Sequence, residues 1–115
     1  MRLCHLDELP DGRSRGFDPA RRGQDSVLIV RRGSRLHAWL DACPHHGGTP
    51  MAWRKDEYLN AAGTAIVCHA HGAQFDIETG RCTLGPCLGQ SLHAMPLRVD
   101  TSGDVYLMNP EETRT

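Results

Sequence analysis

At 115 residues the chain is long enough for one core and too short for two ordinary domains, so residues 1–115 are expected to form a single domain. A net charge of −1 excludes the disorder that a low aliphatic content permits only alongside high charge, and it argues against nucleic acid as a partner. No apolar run approaches the roughly 18 residues of a membrane span, and the first ten residues lack the charged-then-apolar pattern of a secretory signal; a soluble, cytoplasmic protein without a membrane partner is expected.

In chain order, Arg2 to His5 reads as a first short strand. Residues Asp11 to Asp25 contain Gly12, Gly16, Pro19 and Gly23 with little apolar content, which predicts a surface loop. Val27-Leu28-Ile29-Val30 follows, then Arg32-Gly33-Ser34, then alternating Leu36, Ala38 and Leu40, the signature of a hairpin. Met51 to Asn60 is the best place for one short helical turn. Further strands are expected at Ala65 to Val67, Ala73 to Asp76, Leu92 to Val99 and Val105 to Met108, with turns at Glu78-Thr79-Gly80 and Ser102-Gly103-Asp104. Pro96 marks an edge strand or a bulge. No window sustains a 3.6-residue apolar period, so the fold class is all-β and antiparallel.

Six aromatic residues make a thin core, and small domains with thin cores borrow stability from disulfides, metals or partners. Five Cys and seven His are the obvious resource. In a reducing compartment an odd cysteine count fits metal ligation or thiols better than a disulfide framework, although spacing alone allows a Cys82 to Cys87 link. Two segments each pair a thiol with a nearby imidazole: Cys43-Pro44-His45-His46-Gly47-Gly48 and Cys68-His69-Ala70-His71-Gly72. Thiolates suit soft iron or zinc, imidazole suits borderline metals, and two such pairs on two loops supply four ligands. A structural zinc site is the competing reading. Zinc sites normally use Cys-x-x-Cys pairs, which neither loop has, and visible colour separates the two.

The arrangement resembles the Rieske family, whose signature is Cys-x-His-x-Gly on one loop and Cys-x-x-His-Gly on a second. Matched residue by residue, the resemblance implies that Cys43 and Cys68 hold one iron of a 2Fe-2S cluster, one per chain, and that His45 and His71 hold the other. Gly85-Pro86-Cys87-Leu88-Gly89 is similar to the proline-containing third loop of that family, which places the cluster loops within about residues 41–89. The implied fold is a small antiparallel β-sandwich with the cluster loops at one tip. His46 and His69 fall on variable positions and are read as non-ligands; Cys4, Cys82 and Cys87 lie outside the motif as small buried or free thiols, and Trp39 and Phe75 are read as core residues. One departure is the 22-residue segment His46 to Val67, longer than the family's usual spacing. The extra length is expected in Ala52 to Gly63 as a longer hairpin tip, with the shape near Trp53 and Tyr58 left open.

The resemblance further implies a soluble electron carrier, a Rieske-type ferredoxin with no substrate site of its own, hence not an enzyme by itself. Its partners would be an NAD(P)H-dependent flavoprotein reductase and the terminal oxygenase of a ring-hydroxylating dioxygenase or related system, with His45 and His71 as the electron's exit and the carrier a monomer. The alternative is a Rieske-like small subunit of a larger reductase such as nitrite reductase, whose relatives commonly lack the ligands that this chain retains. A redox sensor is a third reading, for which the sequence offers no effector domain. Charge is uneven, with eight Arg against five acids in residues 1–35 and five Lys plus Arg against nine acids thereafter, which suits either two solvated faces or a docking face. High-potential members of the family carry a disulfide between the two loops and Ser and Tyr hydroxyls that donate toward cluster sulfurs. The matching positions here are Gly48, Ala70, Ala73 and Phe75, so the resemblance implies a potential near the low end of the Rieske range.

Overall fold

The computed structural model describes residues 2–19, 21–41, 51, 55–68, 72–85 and 87–108. Among them are nine strands: β1 (Arg2–His5), β2 (Ser14–Phe17), β3 (Val27–Arg32), β4 (Arg35–Leu40), β5 (Ala65–Cys68), β6 (Ala73–Asp76), β7 (Cys82–Leu84), β8 (Leu97–Val99) and β9 (Asp104–Leu107). A single 3₁₀ turn, Leu6–Glu8, follows β1. All pairings are antiparallel and build three sheets in the orders β1-β9-β8, β2-β3-β4 and β5-β6-β7. This is the expected all-β antiparallel architecture.

The apolar run of β3 explains how three small sheets become one body. Val27, Leu28, Ile29 and Val30 are all buried, although a strand sends successive side chains to opposite faces. Leu28 and Val30 join Trp39, Tyr58, Ile66 and Phe75 in a first core toward β5-β6-β7; Val27 and Ile29 join Cys4, Leu9, Phe17 and Val105 in a second core toward β1 and β9. β3 is therefore the wall between two cores. Each fully buried aliphatic side chain contributes about 1.5–3 kcal/mol, so this strand is the costliest place to introduce a polar residue.

Several expectations change. The predicted loop from Asp11 to Asp25 contains β2, paired with β3 from Ser14↔Val30 to Phe17↔Val27. Gly16 and two polar residues hide the strand from pattern reading. It is held by the main-chain ladder, by burial of Phe17 and by the Arg15 guanidinium 5.0 Å from the Phe17 ring. No helical turn occurs among the described residues of the Met51 to Asn60 window, because residues 55–58 send their hydrogen bonds across to β2 rather than along their own chain. The segment Leu92 to Val99 is a strand only at Leu97–Val99. Pro96, without an N–H, stands just before it, and β8 is an edge strand as that proline suggests. The Cys82 to Cys87 link does not form: Cys82 keeps its thiol, which donates to the Leu84 carbonyl at 3.3 Å. The long inter-motif segment does end in a hairpin, with a Leu59↔Ile66 bridge and a tip at residues 60–64, but its approach is packed against β2 instead of projecting.

Candidate metal centre

Of the residues with ligand chemistry, Cys68 is described, and Cys43, His45 and His71, with His46 and His69, lie outside the described residues. Cys68 ends β5, fully buried, opposite Ala73 at the start of β6. Gly72 donates its N–H to the Cys68 carbonyl at 2.7 Å from a left-handed backbone (φ +71°), a conformation that favours glycine. The strands that flank the second candidate loop are thus paired up to Cys68 and Ala73, and Gly72 closes back on the Cys68 carbonyl.

The stem of the first loop is equally constrained. β4 ends at Leu40, whose N–H donates to the His93 carbonyl, and the next N–H, that of Asp41, donates to the Ser26 carbonyl, both at 2.8 Å. Asp41 is buried, and its carboxylate accepts from the Met51 N–H at 2.9 Å and from the Tyr58 hydroxyl at 2.6 Å. Burial pushes the Asp41 carboxyl up, and the Tyr58 and Met51 donors pull against that shift. Burial and the neighbouring carboxylate hold the Tyr58 hydroxyl far above the ordinary phenol range, so it remains a donor. Neither residue was singled out as part of the site from sequence. The nearest signal was a carboxylate two positions before a candidate ligand and a tyrosine within an over-long segment.

The third segment lies against the start of β6. A side chain on Gly85 would bring its Cβ within 2.9 Å of the Ala73 Cα, and its φ of +102° is again one that favours glycine. Cys87 is fully buried, whereas Leu84 and Leu88 are 54% and 65% exposed, so the flanks of this segment present apolar surface. Ala73 and Phe75 are fully buried and have no side-chain donor. Trp39 is buried too, its indole N–H donating to the Ile77 carbonyl at 3.2 Å, which places it in the core as expected.

The donor set fits an iron-sulfur group. A buried thiol stands at a strand end beside a segment whose glycine lets backbone approach backbone, and the sequence supplies a second thiol and two imidazoles on loops anchored by these stems. Residues 1–103 match the Rieske 2Fe-2S domain, and the chain belongs to that family. It is 32% identical over 98 residues to the ferredoxin component of the alkene monooxygenase system of Xanthobacter autotrophicus, covering 85% of this chain and 72% of that protein. The fold matches the ferredoxin of carbazole 1,9a-dioxygenase from Nocardioides aromaticivorans at a TM-score of 0.69 and 28% identity, over 93% and 94% of the two chains. It also matches a chain in the complex of reduced oxygenase and oxidized ferredoxin of carbazole 1,9a-dioxygenase, at 0.69 and 25%, over 93% and 90%.

Proposed function

We propose that this protein is the ferredoxin of an oxygenase system: a one-electron carrier that holds one Rieske 2Fe-2S cluster on Cys43, Cys68, His45 and His71 and passes electrons from an NAD(P)H-dependent flavoprotein reductase to a terminal oxygenase. The observation that carries the reading is the buried thiol of Cys68, set between paired strands at the start of a loop with the family's second motif, in a chain that matches the family almost end to end. Its likeness to a monooxygenase ferredoxin supports the partner class, and the carbazole ferredoxin's complex with its oxygenase supports direct docking. The chain itself supplies the rest: thiolate and imidazole donors, strand-anchored stems that position them, and a third segment that covers one side. When bound, the cluster supplies a single reversible electron acceptor. The carrier acts as a monomer in the cytoplasm, without a substrate site of its own and at a potential near the low end of the Rieske range.

Metal and sulfide analysis of the purified protein tests this, with about two iron and two acid-labile sulfides per chain expected. His45→Ala or His71→Ala should abolish the native cluster, and His46→Ala or His69→Ala should leave it assembled. Zinc as the only metal would overturn the reading, and loss of the cluster in His69→Ala would reassign the second loop. A nitrite-reductase-type subunit would co-purify with a larger chain; a carrier is isolated alone.

A further inference from the structure

We propose that Tyr58 is a positioning residue for the cluster, bracing the stems of both ligand loops at once. The inference rests on the ligand reading given above. Through its side chain Tyr58 reaches the first stem: its hydroxyl donates to one oxygen of Asp41 at 2.6 Å, while the other oxygen accepts from the Met51 N–H at 2.9 Å. That carboxylate therefore ties together the two ends of residues 42–50, the stretch that contains Cys43 and His45. Through its main chain Tyr58 reaches the second stem, since its carbonyl accepts from the Val67 N–H at 2.8 Å, one residue before Cys68.

Tyr58 is itself held firmly. Its N–H donates to the Ser14 hydroxyl at 3.2 Å, and that hydroxyl donates to the Asp56 carbonyl at 2.7 Å. Gly16 donates its N–H to the Asp56 carboxylate at 2.7 Å, and Lys55 donates to the Gly16 carbonyl at 2.9 Å and pairs with Asp25 at 2.7 Å. Asp56 adopts a left-handed backbone (φ +66°) within this run. There is no room for a side chain on Gly16, whose Cβ would lie 2.6 Å from the Tyr58 hydroxyl oxygen. A phenylalanine would fill the same core volume, and a buried carboxylate with a buried hydroxyl is commonly no more stable than an apolar pair. What the polar pair adds is a fixed geometry between two loops. Tyr58 lies in the segment between the two motifs, so one residue reaches both stems.

Tyr58→Phe, Asp41→Asn, the double variant and the control Trp39→Phe are compared as full-length protein. The readouts are the rate at which visible absorption is lost in the presence of a chelator, the midpoint potential, and thermal unfolding by circular dichroism. Tyr58→Phe should still take up iron but lose the cluster at least about tenfold faster, the factor implied by one lost hydrogen bond to a charged group, and its midpoint should be displaced. The double variant should match Asp41→Asn, because the two residues act as a unit. Trp39→Phe, which loses a hydrogen bond in the same core, should unfold at lower temperature with its potential unmoved. A parental potential and loss rate in Tyr58→Phe, or additive effects in the double variant, would overturn the brace. If Tyr58→Phe does not fold, Asp41→Asn keeps the side chain's shape and is judged by the same two readouts. Should the parent hold no iron, the ligand reading fails by itself. The brace is then judged by amide exchange at Met51 and Val67, which Tyr58→Phe should accelerate and which would refute it if unchanged.

Discussion

On the proposed ligand reading, Ala73 and Phe75 stand at the positions where a side-chain donor toward the cluster would raise its potential. Both are fully buried on β6, and neither offers a hydrogen. Reduction adds an electron, so a donor aimed at cluster sulfur strengthens in the reduced state and raises the potential. One charge-assisted bond of about 1–3 kcal/mol corresponds to about 40–130 mV for one electron. The Ala73→Ser, Phe75→Tyr double variant should therefore shift the midpoint upward by an amount in that range for each hydroxyl that reaches sulfur. If they do not, each hydroxyl is buried without a partner and the variant unfolds at lower temperature with an unchanged midpoint. Direct electrochemistry on the unmodified protein supplies the baseline, and a strongly positive midpoint near neutral pH would refute the low-potential assignment.

At the scale of elements, three turns share one device, an aspartate that accepts main-chain hydrogens from the residues just after it. Asp18 accepts from Arg22 and Gly23, Asp76 from the Thr79 N–H and hydroxyl, and Asp100 from Ser102 and Asp104. In each case these hydrogen bonds, led by Arg22 for Asp18, the Thr79 side chain for Asp76 and Asp104 for Asp100, hold the carboxyl below its usual range. A depressed folded pKa contributes stability that is complete above the unfolded value of about 3.9 and is lost as pH falls through the folded value. Melting temperature followed by circular dichroism should hold down to about pH 4 and then decline, and Asp76→Asn should lessen the decline. Asp41, shifted upward by burial, works in the opposite sense, so the comparison is made between Asp76→Asn and the parent at each pH. Equal slopes below pH 4 would remove Asp76 from the account.

The turns at Glu78-Thr79-Gly80 and Ser102-Gly103-Asp104 were legible in sequence because their residues act locally, and so was β3, whose apolar run needs no partner to be recognised. β2 was not: Ser14, Arg15 and Gly16 form a strand only because Val30, Ile29 and Leu28 stand opposite, and three-residue β7 likewise depends on β6. The family was legible because its two motifs constrain residue type and spacing together. Tyr58 and Asp41 were not, since nothing local to either residue announces a hydrogen bond across 17 positions.

For the whole molecule, two of the eight arginines in residues 1–35 define one pole. Arg32 and Arg35 face each other across the β3–β4 turn, at the opposite end of β4 from Asp41 and the first ligand loop. At about 3.4 Å per residue the six-residue strand sets them roughly 17 Å from Leu40, beyond the Debye length of about 8 Å at physiological ionic strength. On the proposed function, charge at that pole would orient an approaching partner at low salt without touching it at the end that carries the ligand loops. Electron transfer to the matched oxygenase should accordingly depend on salt below physiological strength, and charge reversal at Arg32 and Arg35 should change the rate only there. A rate indifferent to salt throughout would exclude steering.

The pairing of β1 with β9, Arg2 opposite Tyr106, also has a temporal side. The first core is assembled from residues between Leu28 and Leu92, neighbours along the chain that hairpins can gather early. The second core needs Val105 of β9, far along the chain from Cys4, Leu9 and Phe17, before those residues have anything to close against. During folding, then, the Cys4 thiol stays open to solvent until β1 pairs with β9, after which it is 1% exposed. Cys4 thereby keeps time for the molecule: a thiol reagent applied in a brief pulse should mark it in refolding chains before β1 and β9 pair and pass over it in folded ones.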